Sequence, residues 1–187
     1  MQRRHHSWLA GLCFACVLCA ATARAAEFVI THAETQRRDE IMVLNAGLRF
    51  DFSEEVREAL DNGVPITLVL ELKLSRVRDY LWDANVATME QRYSLQYHAL
   101  SEQYIVRNLN SDEQSAHRTL VSVRNYLATI TDLPLIDRRL LEEGAQYYLK
   151  LRAGIDINAL PSPMRPMAWL SADWRLHSEW YTCAVNY

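Results

Sequence analysis

Ile66-Thr-Leu-Val-Leu-Glu-Leu-Lys-Leu74 is the stretch on which the fold turns. Ile66, Leu68, Leu70, Leu72 and Leu74 share one face of an extended chain; Thr67, Glu71 and Lys73 lie on the other, with Val69. Successive side chains of a strand point to opposite faces, so a period of two predicts a half-buried strand. The segment Tyr93–Ala99 alternates in the same way, with Tyr93, Leu95, Tyr97 and Ala99 set against Arg92, Ser94, Gln96 and His98. Asp83-Ala84-Asn85 supplies turn residues between the two. A hairpin centred on Ala84-Asn85 pairs Leu74 with Leu95, Leu72 with Tyr97, Arg76 with Tyr93 and Glu71 with His98.

Outward from this hairpin the pattern repeats. Strands are predicted over Phe28–Ala33 and Ile41–Phe50. Ser53 then reads as an N-cap, with Glu54 and Glu55 favourable in the first turn of a short helix. Val56 and Leu60 form the apolar stripe of that helix, and Gly63 ends it before Pro65. Tyr104–Leu109 reads as a strand and Asn110-Ser111-Asp112 as a turn. Glu113–Thr119 fits a short strand, although Ser111 and Gln114 also fit a capping box. A second helix is expected over Val121–Ile130, with Val123, Leu127 and Ile130 inward. A long strand follows from Tyr147 to Ile157, and Pro161, Pro163 and Pro166 force an irregular excursion. The chain closes on Trp174, Leu176 and Trp180, alternating with Arg175, His177 and Glu179. Seven or eight strands, short turns and two short helices predict a mainly β (α+β) fold of antiparallel, sandwich-like sheets. No Gly-rich phosphate loop occurs, and the whole chain holds 5 glycines, too few to encourage a nucleotide site.

The first residues have a different character. Arg3 and Arg4 precede an apolar run from Trp8 to Ala21, and small residues follow at Ala23-Arg24-Ala25. A basic head, a short apolar middle and an A-x-A tail are the marks of a secretory signal peptide. A permanent span needs about 20 apolar residues, so residues 1–25 are expected to be removed and 26–187 to form a single β-rich domain beyond the cytoplasm. Left uncleaved, the leader would anchor the protein at the inner membrane. Gln2 before the arginine pair and His5-His6 after it favour the general export route over a twin-arginine one. Cys13, Cys16 and Cys19 lack the preceding small pair of a lipid-attachment site.

Charge and cysteine content narrow the function. The chain carries 20 basic and 23 acidic residues. The leader takes Arg3, Arg4 and Arg24, leaving 17 basic and 23 acidic residues and a net charge of −6. An acidic domain lacks the basic footprint that nucleic acid requires. Cys183 is the one cysteine after the leader, so no internal disulfide is expected and the choice lies between a half-buried thiol and an intermolecular bond. No Cys/His spacing of a metal site is present, and nothing implies a cofactor.

The segments Glu58-Ala59-Leu60-Asp61-Asn62-Gly63-Val64-Pro65, Arg78-Asp79-Tyr80-Leu81-Trp82-Asp83 and Tyr97-His98-Ala99-Leu100-Ser101-Glu102-Gln103-Tyr104 resemble landmarks of one family. The ending Trp174-Arg175-Leu176-His177-Ser178-Glu179-Trp180-Tyr181 does so too. The chain is similar to an exported bacterial family of unknown function, domain of unknown function family 4390. Leu81 is a departure, since relatives often carry another aromatic residue there. The resemblance implies an envelope protein with no assigned activity and no catalytic residues to carry over. Its members tend to be encoded near a nitrogen-regulation-type sensor kinase, which implies an accessory of envelope signalling.

The residues themselves offer one candidate surface. If the strand continues past Leu74 without a bulge, Arg76, Arg78, Tyr80 and Trp82 extend its face, and Tyr93 and Met89 meet them from the partner strand. Arginine beside aromatic rings gives cation–π contacts of about 0.5–1 kcal/mol when exposed. Arg, Trp and Tyr also dominate interface hot spots. The plainer reading is a protruding hairpin whose long side chains cover one another. Trp174 and Trp180, placed on one face by their spacing, read as core, and Trp169 in the proline-rich excursion as exposed. His32, His98, His117 and His177 are scattered and accompany no catalytic motif. Asp132, Asp137, Glu142 and Glu143 read as solvated turn residues. The expected role is a non-enzymatic binding or interaction module of the periplasm, with Arg76, Arg78, Tyr80, Trp82, Tyr93 and Trp169 as its surface and an envelope protein as its partner. An envelope hydrolase with a small-molecule site and an envelope assembly factor are the competing classes.

Overall fold

A computed structural model describes residues 27–187, and the expected leader, residues 1–25, lies outside the described residues. The leucine-rich segment is strand β3 (Ile66–Arg76). β3 lies between β4 (Ala84–His98) and β8 (Tyr147–Ile155), and both neighbours run antiparallel to it. Leu72, Leu74, Leu149 and Leu151 are fully buried. The larger sheet continues outward from β4 through β5 (Gln103–Asn108) to β6 (Gln114–His117). On its other side β8 carries β9 (Tyr181–Ala184). A smaller sheet joins β1 (Phe28–Arg38), β2 (Ile41–Phe50) and β7 (Thr129–Asp137) in that order.

The two antiparallel sheets share one hydrophobic core. Met42, Leu44 and Phe50 come to it from the smaller sheet and the leucines of β3 and β8 from the larger. β1 lies against β8 and β9, and the Asn186 amide donates to Thr35 Oγ1 at 3.3 Å. Helix α1 (Glu54–Asp61) begins at Ser53, whose hydroxyl accepts from the Val56 amide, and turns Val56, Ala59 and Leu60 inward. Gly63 follows at φ +78°, a conformation that suits glycine. The fold is therefore the mainly β, antiparallel two-sheet arrangement that the alternation predicts.

Several details depart from expectation. Facing pairs run from Ile66–Leu95 to Leu74–Ala87, so the hairpin centres on Tyr80-Leu81 and not on Ala84-Asn85. The shift moves each partner by eight positions. An even slip leaves every side chain on its original face, so hydrophobic pattern alone cannot detect it. Glu71 thereby faces Glu90 and Arg152 rather than His98, and His98 bonds Ser101 Oγ at 3.1 Å. The second helix, α2, is shorter than expected, spanning Leu120–Leu127. Ile130 belongs to β7, which also takes up Asp132 and Asp137. β7 holds Pro134 and two register irregularities against β2. It is an edge strand, where a missing amide is tolerated. The proline-rich excursion contains a third short helix, α3 (Arg165–Leu170).

The closing segment also differs. Trp174, Leu176 and Ser178 are buried in alternation, but this stretch pairs with β8 at the single bridge Gly154–His177 before β9 begins. Trp174 packs into the core. Trp180 does not share its face: Lys73 Nζ and Arg152 Cζ each lie 4.7 Å from the centre of its ring. Both cations project from the outer face of the larger sheet, so Trp180 roofs that face.

Candidate functional site

The β3–β4 connection is where side chains leave the core. A register shift follows Leu74, and strand pairing stops at Arg76–Ala84. The seven residues Val77–Asp83 form a loop rather than extending the apolar face. Tyr80 is 96 % exposed, Leu81 69 % and Trp82 93 %. The base of the loop is held from both sides. Val77 N donates to Gln146 O at 2.9 Å, and Arg76 pairs with Glu142. Arg78 N donates to Asp83 Oδ1 at 3.3 Å, and Tyr148 OH donates to Asp83 Oδ2 at 2.8 Å. That bond holds the proton on Tyr148, raising its phenol above the usual range. Tyr187 OH donates to the carbonyls of Glu142 and Ala145, fixing the neighbouring loop.

The six residues expected to form one surface are divided. Arg76 at the base of the loop lines one shallow hollow with Arg78 and Tyr80, and Trp82 is exposed on the same loop. Tyr93 does not meet Arg76; it lies beside Leu68 on β3 and Asn108 on β5, half-buried against the core. Burial pushes its phenol up. Met89 faces Leu72 and packs on the core as well. The physical reason is the register: with the turn at Tyr80-Leu81, Tyr93 sits far down the strand from the tip. Trp169 is exposed on α3 and lines a different groove, over the outer face of the larger sheet.

That groove encloses about 440 Å³ between β3, β4, β8, Trp169 of α3 and the segment Arg175–His177. Its floor is a charge lattice. Glu71 and Glu90 face each other across β3 and β4, an arrangement that repels unless compensated. Arg152 donates to Glu71 Oε1 through Nη2 at 2.6 Å and Nε at 3.2 Å. Arg92 donates to Glu90 Oε2 at 2.7 and 2.9 Å and to Asp156 Oδ2 at 2.7 Å. The bond to Glu90 is the largest reason that the Arg92 guanidinium holds its proton more tightly than usual. Each acid in the groove is thus engaged by a guanidinium. Among the described residues, no group of three or more His, Cys, Asp and Glu side chains is placed to hold a metal ion.

Sequence reasoning missed Glu142, Gln146 and Tyr148 as supports of the tip, because all three reach it from more than 60 residues away, and missed Tyr187, which acts through the Glu142–Ala145 loop. Asp83 carried a signal, since it was read as a turn residue, and it closes the loop.

Cys183 packs half-buried against the core, and burial pushes its thiol up. No helix among the described residues is long and apolar enough to cross a membrane. No curated protein and no solved structure matches the chain. What does match is the family described as a domain of unknown function (DUF4390), over residues 25–184, and since this takes in both sheets and the tip between β3 and β4, the chain belongs to that family.

Proposed function

We propose that the protein is exported by its leader and acts in the periplasm as a non-enzymatic binding module that docks a protein partner through the Val77–Asp83 loop. The observation that carries this reading is the exposure of Tyr80 and Trp82 on a loop whose two ends are fixed. Large aromatic side chains beside arginine supply most of the binding energy at protein interfaces. A loop already held in shape loses less conformational freedom on docking. Burying these rings against a partner also removes apolar area that water now covers. The family resemblance points to an envelope sensor protein as the class of partner, with this chain as its accessory.

The test places a photo-crosslinking amino acid at Tyr80 in living cells. One envelope protein should be captured, and Trp82→Ala should abolish capture while leaving the melting temperature unchanged. Capture that is equal from a probe at Leu100, or that survives Trp82→Ala, would sink the docking role. Fractionation of the same cells should recover a shortened chain in the periplasm, and an unprocessed chain in the cytosol overturns export.

A further inference from the structure

The end of the sandwich away from the tip holds a cleft of about 520 Å³, where β2 runs out into α1 and one face of α2 lies alongside. Three guanidinium groups line it: Arg49 from β2, Arg57 from α1 and Arg124 from α2. Asp51 is the single acid among the lining residues. The balance is unusual for this molecule. The outer-face groove sets Arg92, Arg152 and Arg175 against Glu71, Glu90 and Asp156, and the tip sets Arg76 and Arg78 against Asp79 and Glu142. The lining of this cleft therefore sets three positive charges against one negative, and the two acids that complete the balance, Glu27 and Glu54, stand outside it.

The partners of these arginines leave them available. Arg124 pairs with Asp51 in the cleft. Arg57 is bound to Glu54 at 3.0 Å and Arg49 to Glu27 at 3.9 Å, both of them exposed acids at the rim. Exposed pairs of this kind contribute about 0–1 kcal/mol, so an incoming anion exchanges with them at little cost. Guanidinium forks match the oxygens of carboxylate and phosphate. Apart from Asn125, the rest of the wall is apolar. Phe50 and Phe52 meet edge to face at 5.4 Å between ring centres, and Val121 is exposed at the lip. Leu48 and Phe50 also line a small apolar cavity of about 40 Å³ between the sheets.

We infer that this cleft binds an amphipathic anion, a single carboxylate or phosphate head on an apolar chain. The head sits among Arg49, Arg57 and Arg124, and the chain lies along Leu120 and Val121. The site is separate from the docking tip, and its occupancy does not depend on that reading.

Nuclear magnetic resonance titration of the ¹⁵N-labelled protein with monomeric octyl phosphate tests it. Saturable shifts are expected at Asp51, Phe52, Val121 and Asn125. The double variant Arg49→Gln/Arg57→Gln alters two exposed side chains and should weaken binding about tenfold or more. Inorganic phosphate should bind the same residues more weakly. Sedimentation with phosphatidylglycerol vesicles, lost in the double variant, assigns the anion to membrane lipid; octyl phosphate binding without sedimentation assigns it to a free amphiphile. Absence of saturation, equal affinity in the double variant, or equal shifts with uncharged octyl glucoside overturns the inference.

Discussion

Gly154 sits where the chain crosses itself. The Ile155 amide donates to Leu176 O at 2.9 Å, and the Ser178 amide to Ala153 O at 2.7 Å. A Cβ on Gly154 would stand 2.9 Å from Leu176 O and 2.9 Å from the His177 Cβ. The first of these is backbone, held by its own hydrogen bond, so it does not yield as a flexible side chain would. Gly154→Ala should lower stability by about 1–3 kcal/mol through overpacking, read from urea midpoints. An unchanged midpoint would show that the crossing is loose. Tyr104 offers a test in pH. Burial, and then its hydrogen bond to Asp61 at 2.9 Å, push its phenol up to about 12. The unfolded phenol ionises near pH ~10. Between those values the unfolded chain sheds its proton while the folded one keeps it. Stability is therefore intact below pH ~10 and falls as pH climbs toward ~12. Tyr104→Phe should flatten that alkaline decline; Tyr93 and Tyr148, also raised, keep part of it. A slope identical to the parent's would remove Tyr104 from the account.

The β3–β4 hairpin shows what an element adds to its residues. Its strands follow from alternation, and its apolar positions fall on the predicted faces. Its turn does not follow, because Leu72 satisfies the core equally well opposite Tyr97 or opposite Met89. What distinguishes the two registers is the seven-residue loop and the fit of β3 between β4 and β8. The loop in turn depends on Asp83, which accepts from Arg78 N and from Tyr148 OH. Asp83→Ala removes both bonds at an exposed site and should cost about 1 kcal/mol or less. Its larger effect should be on motion: order parameters of the amides over residues 78–82 fall while those of β3 stay high. If they stay high throughout, the Arg76–Glu142 pair and the Val77–Gln146 bond suffice to fix the tip. β7 makes the complementary point. Pro134 and the carboxylates Asp132 and Asp137 disguise it as loop, and only its edge position beside β2 makes a strand of it.

For the molecule as a whole, the two candidate surfaces are set far apart by one core. The leucines of β3 and β8 fill the middle, the aromatic loop leaves one end, and the arginine cleft opens at the other. Much of this was readable in advance. The period of two named most of the strands, though not β7 or β9, and Ser53 and Gly63 bounded α1. These are local properties, carried by neighbours in the chain, and they survive any arrangement of the sheets. Arg78, Tyr80 and Trp82 were also readable as a group, because they lie within five residues. The packed structure alone decided that Tyr93 turns inward, that Trp180 lies over Lys73 and Arg152, and that Arg49, Arg57 and Arg124 converge. Most of these meetings join residues tens of positions apart, and a strand can slide by two or four without exposing a single leucine. Which partners face each other is settled only when loop length, edge pairing and core packing are satisfied together.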